Sequence, residues 1–223
     1  MNTELIQYLK DFITPRRYEL INQVLSKRTR HIAVVLENLY QSHNASAVVR
    51  SCDCFGVQDI HVIEKENEFA FNKEIALGAS RWTTLHVYKA QEKPLEEVLL
   101  SLKNKGYSLV ATSLRDDTIP INELPIDQKI ALCFGTEIEG LSDEFYEQVD
   151  YRVKIPMHGF TQSFNVSVSV ALCLYELIEK LHHSGINWHL SEQEQEELRL
   201  EWMTKSAQNG EKLVERFMLN RSK

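Results

Sequence analysis

Three polar stretches carry the residue types that do chemistry. The first is QSHNASAVVRSCD, residues 41–53, where Asn44 and Arg50 stand in polar chain leading into an apolar helical run. An ordinary surface loop has no need of that pair. The second is GTEIEGLS, residues 135–142, in which Gly135 and Gly140 flank Glu137 and Glu139 directly after a β-branched run. Two glycines there let backbone approach a ligand closely. The third is IPMHGFTQSFN, residues 155–165, where Pro156 and Gly159 prevent regular structure and Ser163 and Asn165 then sit at a helix start. Free backbone N–H groups at such a start favour anions or the polar edge of a ligand; simple N-capping by Ser163 is the bland alternative.

The elements that must position these stretches alternate. HIAVVLEN, DIHVIE, TLHVYK, YSLVATS, KIALCFG and YRVKIP are six short, β-branched-rich runs. Between them lie segments of helical spacing, notably 45–55 and 94–105, the latter closed by Gly106. This alternation predicts an α/β domain on a mainly parallel sheet, whose ligands bind beyond the carboxyl ends of the strands. All three polar stretches follow predicted strands, which makes one shared site the better expectation than three separate caps. Residues 164–184 also alternate apolar and polar at first. Val166, Val170, Cys173, Leu174, Leu177, Ile178 and Leu181 nevertheless fit helical spacing over a run too long for a strand, predicting a helix whose first turn is SFNVS.

Helical segments flank this body. TPRRYELINQVLSKR offers Thr14 as N-cap and Pro15 at the first helical position, and Ser191 with Glu194 forms a capping box near the other end. The expected layout is a helical extension over 1–28, an α/β catalytic domain over 29–186 and a second helical extension over 187–223. Residues 1–30 carry six Lys/Arg against three acids, a local +3 on a chain of net charge −7. Arg16, Arg17, Lys27, Arg28 and Arg30 are therefore candidates for a polyanion-facing surface, with a solvated helix face as the alternative.

Several classes drop out. No apolar run is long enough to span a bilayer, and the first residues lack the layout of a signal peptide, so a cytoplasmic protein away from membranes is expected. The four cysteines, Cys52, Cys54, Cys133 and Cys173, form no C-x-x-C pair and read as reduced core residues rather than a disulfide or metal framework. The first strand is followed by no glycine fingerprint, which removes dinucleotide binding, and Leu141 stands where a phosphate-binding loop needs its lysine.

The stretches NLYQSHNASAVVRSCDCFGV, LCFGTEIEGLS and IPMHGFTQSFNVSVSVALCLYE resemble, in order and spacing, the three signature motifs of the SpoU class of SPOUT RNA methyltransferases. The resemblance extends to TPRRYELINQVLSKR, GASRWTTLHVYK and the Trp-containing helical tail. It implies a sheet ending in a deep trefoil knot, a rare exception to unthreaded chains. It also implies transfer of a methyl group from S-adenosylmethionine to a ribose 2′-hydroxyl. By the motifs, Asn44, Arg50, Glu137, Ser163 and Asn165 are the catalytic set. The cofactor would be held largely by backbone near Thr112, Gly135, Ile155 and Phe164. A homodimer with active sites at the subunit interface is implied, with Arg50 serving a cofactor bound by the partner chain.

A guanidinium with a pKa above about 12 is a donor rather than a base. Arg50 is therefore expected to bind the phosphate beside the target ribose and stabilise the developing alkoxide, while a phosphate oxygen or water takes the proton. Asn44 would orient Arg50 or the ribose, Ser163 would hold a phosphate, Asn165 the cofactor or Ser163's loop, and Glu137 Asn165 or the cofactor loop. Relatives acting on ribosomal RNA carry a separate α/β RNA-binding domain, and only about thirty helical residues stand in its place here. That favours tRNA, and the resemblance implies a guanosine ribose in its D-loop, at position 18, as the target. Ribosomal RNA methylation and a non-catalytic knotted RNA-binding protein are the rivals.

Overall fold

A computed structural model describes residues 2–39, 41–66, 78–115, 117–136 and 139–221. The chain forms two compact units, Arg30–Trp188 on one hand and Met1–Thr29 with His189–Lys223 on the other.

In the larger unit, seven strands form one parallel sheet: β1 (Ile32–Glu37), β2 (Asp59–Glu64), β3 (Thr84–Lys89), β4 (Tyr107–Thr112), β5 (Ile119–Pro120), β6 (Lys129–Phe134) and β7 (Tyr151–Lys154). Their order is β3-β2-β1-β6-β4-β7-β5. Six of them are the predicted runs. The seventh, β5, has two residues and ends on a proline, tolerable because it lies at the sheet edge; two residues leave no periodicity to read. β1 is buried along its whole length, as expected of a parallel strand covered on both faces. Ile32, Val34 and Leu36 face one core layer with α3 (Ser42–Cys54) and α6 (Val166–His182). Ala33 and Val35 face the other, with α4 (Leu95–Asn104) and α5 (Asp143–Tyr146). The period of two along each strand thus becomes two separate cores.

The helix after the third polar stretch begins later than its sequence pattern indicates. α6 starts at Val166, and its N-cap is Asn165, whose Oδ1 accepts from Ser167 N at 2.9 Å. Ser163 lies two residues before this N-cap and does not cap the helix. Cys54 also departs from expectation. Cys52, Cys133 and Cys173 are buried, whereas Cys54, two residues from Cys52 on α3, is turned to solvent. Burial pushes the Cys173 thiol up to about 12, so it stays protonated.

On the sheet face of β2 and β3, His61 and His86 stack with centroids 4.4 Å apart. His61 Nδ1 lies 3.0 Å from the Tyr88 hydroxyl, and His86 Nε2 lies 3.2 Å from Asp59 Oδ1. Burial, reinforced by the neighbouring His86, lowers the His61 pKa to about 3.

The smaller unit consists of α1 (Asn2–Lys10), α2 (Pro15–Leu25), α7 (Glu192–Ser206) and α8 (Gly210–Arg221). Both chain ends therefore share one unit, where sequence reading kept them apart. α1 and α2 pack against α7, and α8 against α1 and α7. Thr14 Oγ1 caps α2 by accepting from Arg17 N at 3.2 Å, and the Ser191–Glu194 capping box opens α7. Arg28 is 1% exposed, with its guanidinium 5.2 Å from the Trp202 ring centre. It belongs to the core of this unit and cannot present charge to a polyanion. In the larger unit, Arg30 is held by Asp59, its Nε 3.0 Å from Oδ2. Arg16, Arg17 and Lys27 remain exposed.

Candidate active site

A cavity of about 400 Å³ opens beyond the carboxyl ends of β4, β6 and β7, within the range of small-molecule sites. Thr112 ends β4, Gly135 follows β6, and Ile155 follows β7; all three line it, together with Ser163 and Phe164 from the loop before α6. The sheet's order reverses next to this place: β2 and β3 extend from β1 to one side, and the later strands lie on the other. Such a switch leaves a crevice at the strand ends.

In the glycine loop, which lines the cavity, backbone closes on backbone. A Cβ on Gly135 would stand 1.9 Å from the Gly140 carbonyl oxygen, so no other residue fits there. Gly140 has φ +73°, a left-handed conformation that suits glycine. Thr136 and Gly140 exchange backbone hydrogen bonds of 3.0 and 3.1 Å, closing the turn. Glu137 lies outside the described residues.

The first and third polar stretches meet directly. Asn165 Nδ2 donates to Asn44 Oδ1 at 3.1 Å, and Asn44 Nδ2 donates to Gln41 Oε1 at 3.2 Å. Asn44 is 3% exposed on the first turn of α3. Arg50 stands farther along α3, exposed to solvent. No hydrogen bond or ion pair joins it to another described residue, which leaves its five donors available to an anion. Arg115, Lys154 and Glu139 also line the cavity, with Arg115 paired to Asp143 at 2.8 Å.

Two contributors escaped sequence reading. Tyr146 lines the cavity, with the Arg115 and Arg152 guanidinium carbons 4.2 and 4.6 Å from its ring centre. Its hydroxyl donates to Ser113 Oγ at 2.8 Å. Nothing in the local pattern of DEFY distinguishes it from an ordinary core tyrosine. Glu37 is a buried acid at the end of an apolar strand. That position is the one signal that could have drawn notice.

A parallel sheet with a cofactor-sized cavity beyond its strand ends is the layout of an α/β enzyme. The chain belongs to the SpoU rRNA Methylase family, which residues 31–175 match. The tRNA (guanosine(18)-2′-O)-methyltransferase of Borreliella burgdorferi is 43% identical over 204 residues, covering 92% of each chain. The Aquifex aeolicus protein of the same name is 31% identical over 201 residues, covering 89% of this chain and 92% of that one. The crystal structure of the A. aeolicus TrmH/SpoU tRNA modifying enzyme aligns with a TM-score of 0.77 at 32% identity, covering 85% of this chain and 96% of that chain.

Proposed function

We propose that the protein methylates the 2′-hydroxyl of a guanosine ribose in the D-loop of tRNA, at position 18, using S-adenosylmethionine. The observation that carries this reading is the cavity at the switch point, with its glycine wall, beside the Asn165–Asn44 link. Relatives named for that activity match 92% and 89% of this chain, which favours tRNA over ribosomal RNA.

The residues fit the cofactor. Thr112, Gly135, Ile155 and Phe164 line a space of suitable size. When bound, S-adenosylmethionine supplies an electrophilic methyl group on a sulfonium. Arg50 binds the phosphate beside the target ribose, where bidentate geometry fixes the nucleophile. Its charge stabilises the oxyanion as the 2′-hydroxyl loses its proton to a phosphate oxygen or water. Asn44, anchored by Asn165, fixes the start of the helix that carries Arg50. Ser163, exposed at the cavity, holds a second phosphate, and Glu137 orients the cofactor loop. Arg16, Arg17 and Lys27 gather the tRNA.

The active form is a cytoplasmic homodimer with active sites at the subunit interface, where Arg50 serves the partner's cofactor. Supporting this, Val168, Leu172 and Tyr175 form an exposed apolar stripe at helical spacing on α6, continued by Phe164 and Phe160. The strand order, with β6 inserted between β1 and β4, supports a trefoil knot beneath the cavity. No helix among the described residues is long and apolar enough to cross a membrane.

The deciding experiment incubates the protein with labelled S-adenosylmethionine and a tRNA transcript, and a second transcript carrying 2′-deoxyguanosine at position 18. Label in the first alone is expected. Label in both, or in neither, refutes the assignment. Leu172→Glu is expected to shift the sedimenting species from dimer to monomer and to abolish transfer.

A further inference from the structure

We propose that Glu37 is a positioning residue that sets cofactor affinity by holding the glycine loop through Ser142. The inference rests on the reading of the cavity as the cofactor site. Glu37 is the last residue of β1 and is 2% exposed. A carboxylate so deeply buried is tolerated only when its oxygens are satisfied. Ser142 N donates to its Oε2 at 2.8 Å, Ser142 Oγ to its Oε1 at 2.6 Å, and Lys65 Nζ lies 2.7 Å from Oε1. Lys65 Nζ also donates to Ser142 Oγ at 3.0 Å, and it lies 3.5 Å from Glu144. Burial opposes the ammonium charge, but the Glu37 and Glu144 carboxylates outweigh it and raise the Lys65 pKa.

Ser142 is the joint between the two parts of the cavity wall. Before it come Gly140 and Leu141, which line the cavity; after it comes α5, which it caps by accepting from Phe145 N at 3.3 Å and which carries Tyr146 to the same cavity. The Ser142 hydroxyl has one proton, and Glu37 takes it, so the oxygen is left to accept from Lys65 and Phe145. Two chain segments, those of Lys65 and Ser142, thus converge on the carboxylate of a third. Without it, the join between the loop and the helix that carries Tyr146 loses its tie to the end of β1. Glu37 touches neither substrate nor cofactor in this arrangement, since it is absent from the cavity lining.

Glu37→Gln keeps the side-chain shape but offers one acceptor oxygen to three donors. Calorimetric titration of the full-length variant with S-adenosylmethionine should show affinity weakened about tenfold or more, as loss of a charge-assisted hydrogen bond does. Turnover at saturating cofactor should stay within about threefold of the unaltered protein. Ser142→Ala should behave likewise, and Ser142→Thr, which retains the hydroxyl, should recover most of the affinity. A purely structural role would lower the melting temperature and leave affinity unchanged in protein still folded by circular dichroism. A folded Glu37→Gln variant that binds within about twofold of the unaltered protein overturns the proposal. Should Glu37→Gln fail to fold, Ser142→Ala decides by the same thresholds. If the unaltered protein binds no S-adenosylmethionine, the cofactor reading itself falls, and this inference with it.

Discussion

Asn165 and Asn44, 121 positions apart in sequence, are joined by a side-chain hydrogen bond of 3.1 Å. Asn165 performs two tasks with one amide: its oxygen caps α6 through Ser167, and its nitrogen reaches Asn44. The residue therefore couples the loop beside the cavity to the helix that carries Arg50.

The two tasks separate by substitution. Asn165→Asp keeps an acceptor for Ser167 but has no donor for Asn44. Its folding stability should stay within roughly 0.5 kcal/mol of the unaltered protein, whereas Asn165→Ala should lose about 1 kcal/mol from the missing cap. Both should lose methyl transfer and bind S-adenosylmethionine more weakly, with tRNA affinity less affected. Urea unfolding and calorimetry on the same preparations check this. A fall in tRNA affinity larger than the fall in cofactor affinity would move Asn165 to the RNA side.

Arg50→Ala should reduce methyl transfer roughly a hundredfold to a thousandfold, the usual cost of removing one electrostatic partner of a transition state. Cofactor affinity should not change. Single-turnover rates at saturating cofactor measure the effect, and more than half of the original rate remaining would exclude the role.

Replacing Arg16 and Arg17 together by Ala should weaken tRNA binding and flatten its dependence on log salt by roughly one to two units, because each phosphate contact releases condensed counterions. Arg28→Ala makes the contrasting case. Its side chain is packed on Trp202, so the variant should unfold at lower temperature. Filter binding across a salt series reads the first effect. An unaltered slope in the double variant would reduce α2 to a solvated helix.

Acid should destabilise the α/β unit in part through His61. Its pKa is about 3 in the fold against 6.5 for an ordinary histidine, so the unfolded chain takes up a proton that the folded chain refuses. Stability is therefore lost as pH falls from about 6.5 towards 3, by at most about 1.4 kcal/mol per pH unit. From about pH 3.8 downward Asp59 adds a loss of the same sign. Burial works to raise its pKa, but the His86 hydrogen bond and the charges of Arg30 and the histidines outweigh it and hold the carboxyl low. Unfolding free energies at about pH 6 and pH 5 should differ less in His61→Gln than in the unaltered protein. An identical difference would show that His61 titrates normally.

The sequence by itself determined the elements and their ingredients. Six β-branched runs became six strands, Thr14 and Ser191 capped the helices that follow them, and Gly135 and Gly140 marked the place where backbone closes on backbone. Each of these is written within a few residues, since caps, turns and burial periods depend on near neighbours. Strand order and the partners it creates are not local. Only the tertiary structure inserted β6 between β1 and β4 and brought Ser142 onto Glu37 across 105 positions. Only it closed Asn165 on Asn44, and made Asn165 rather than Ser163 the cap. The same holds for the basic set: composition gives the charge of Arg28 and Arg30, but burial against Trp202 withdraws the first from the surface and pairing with Asp59 offsets the second. A charge is a property of its residue. Whether it faces solvent depends on the chain that folds over it.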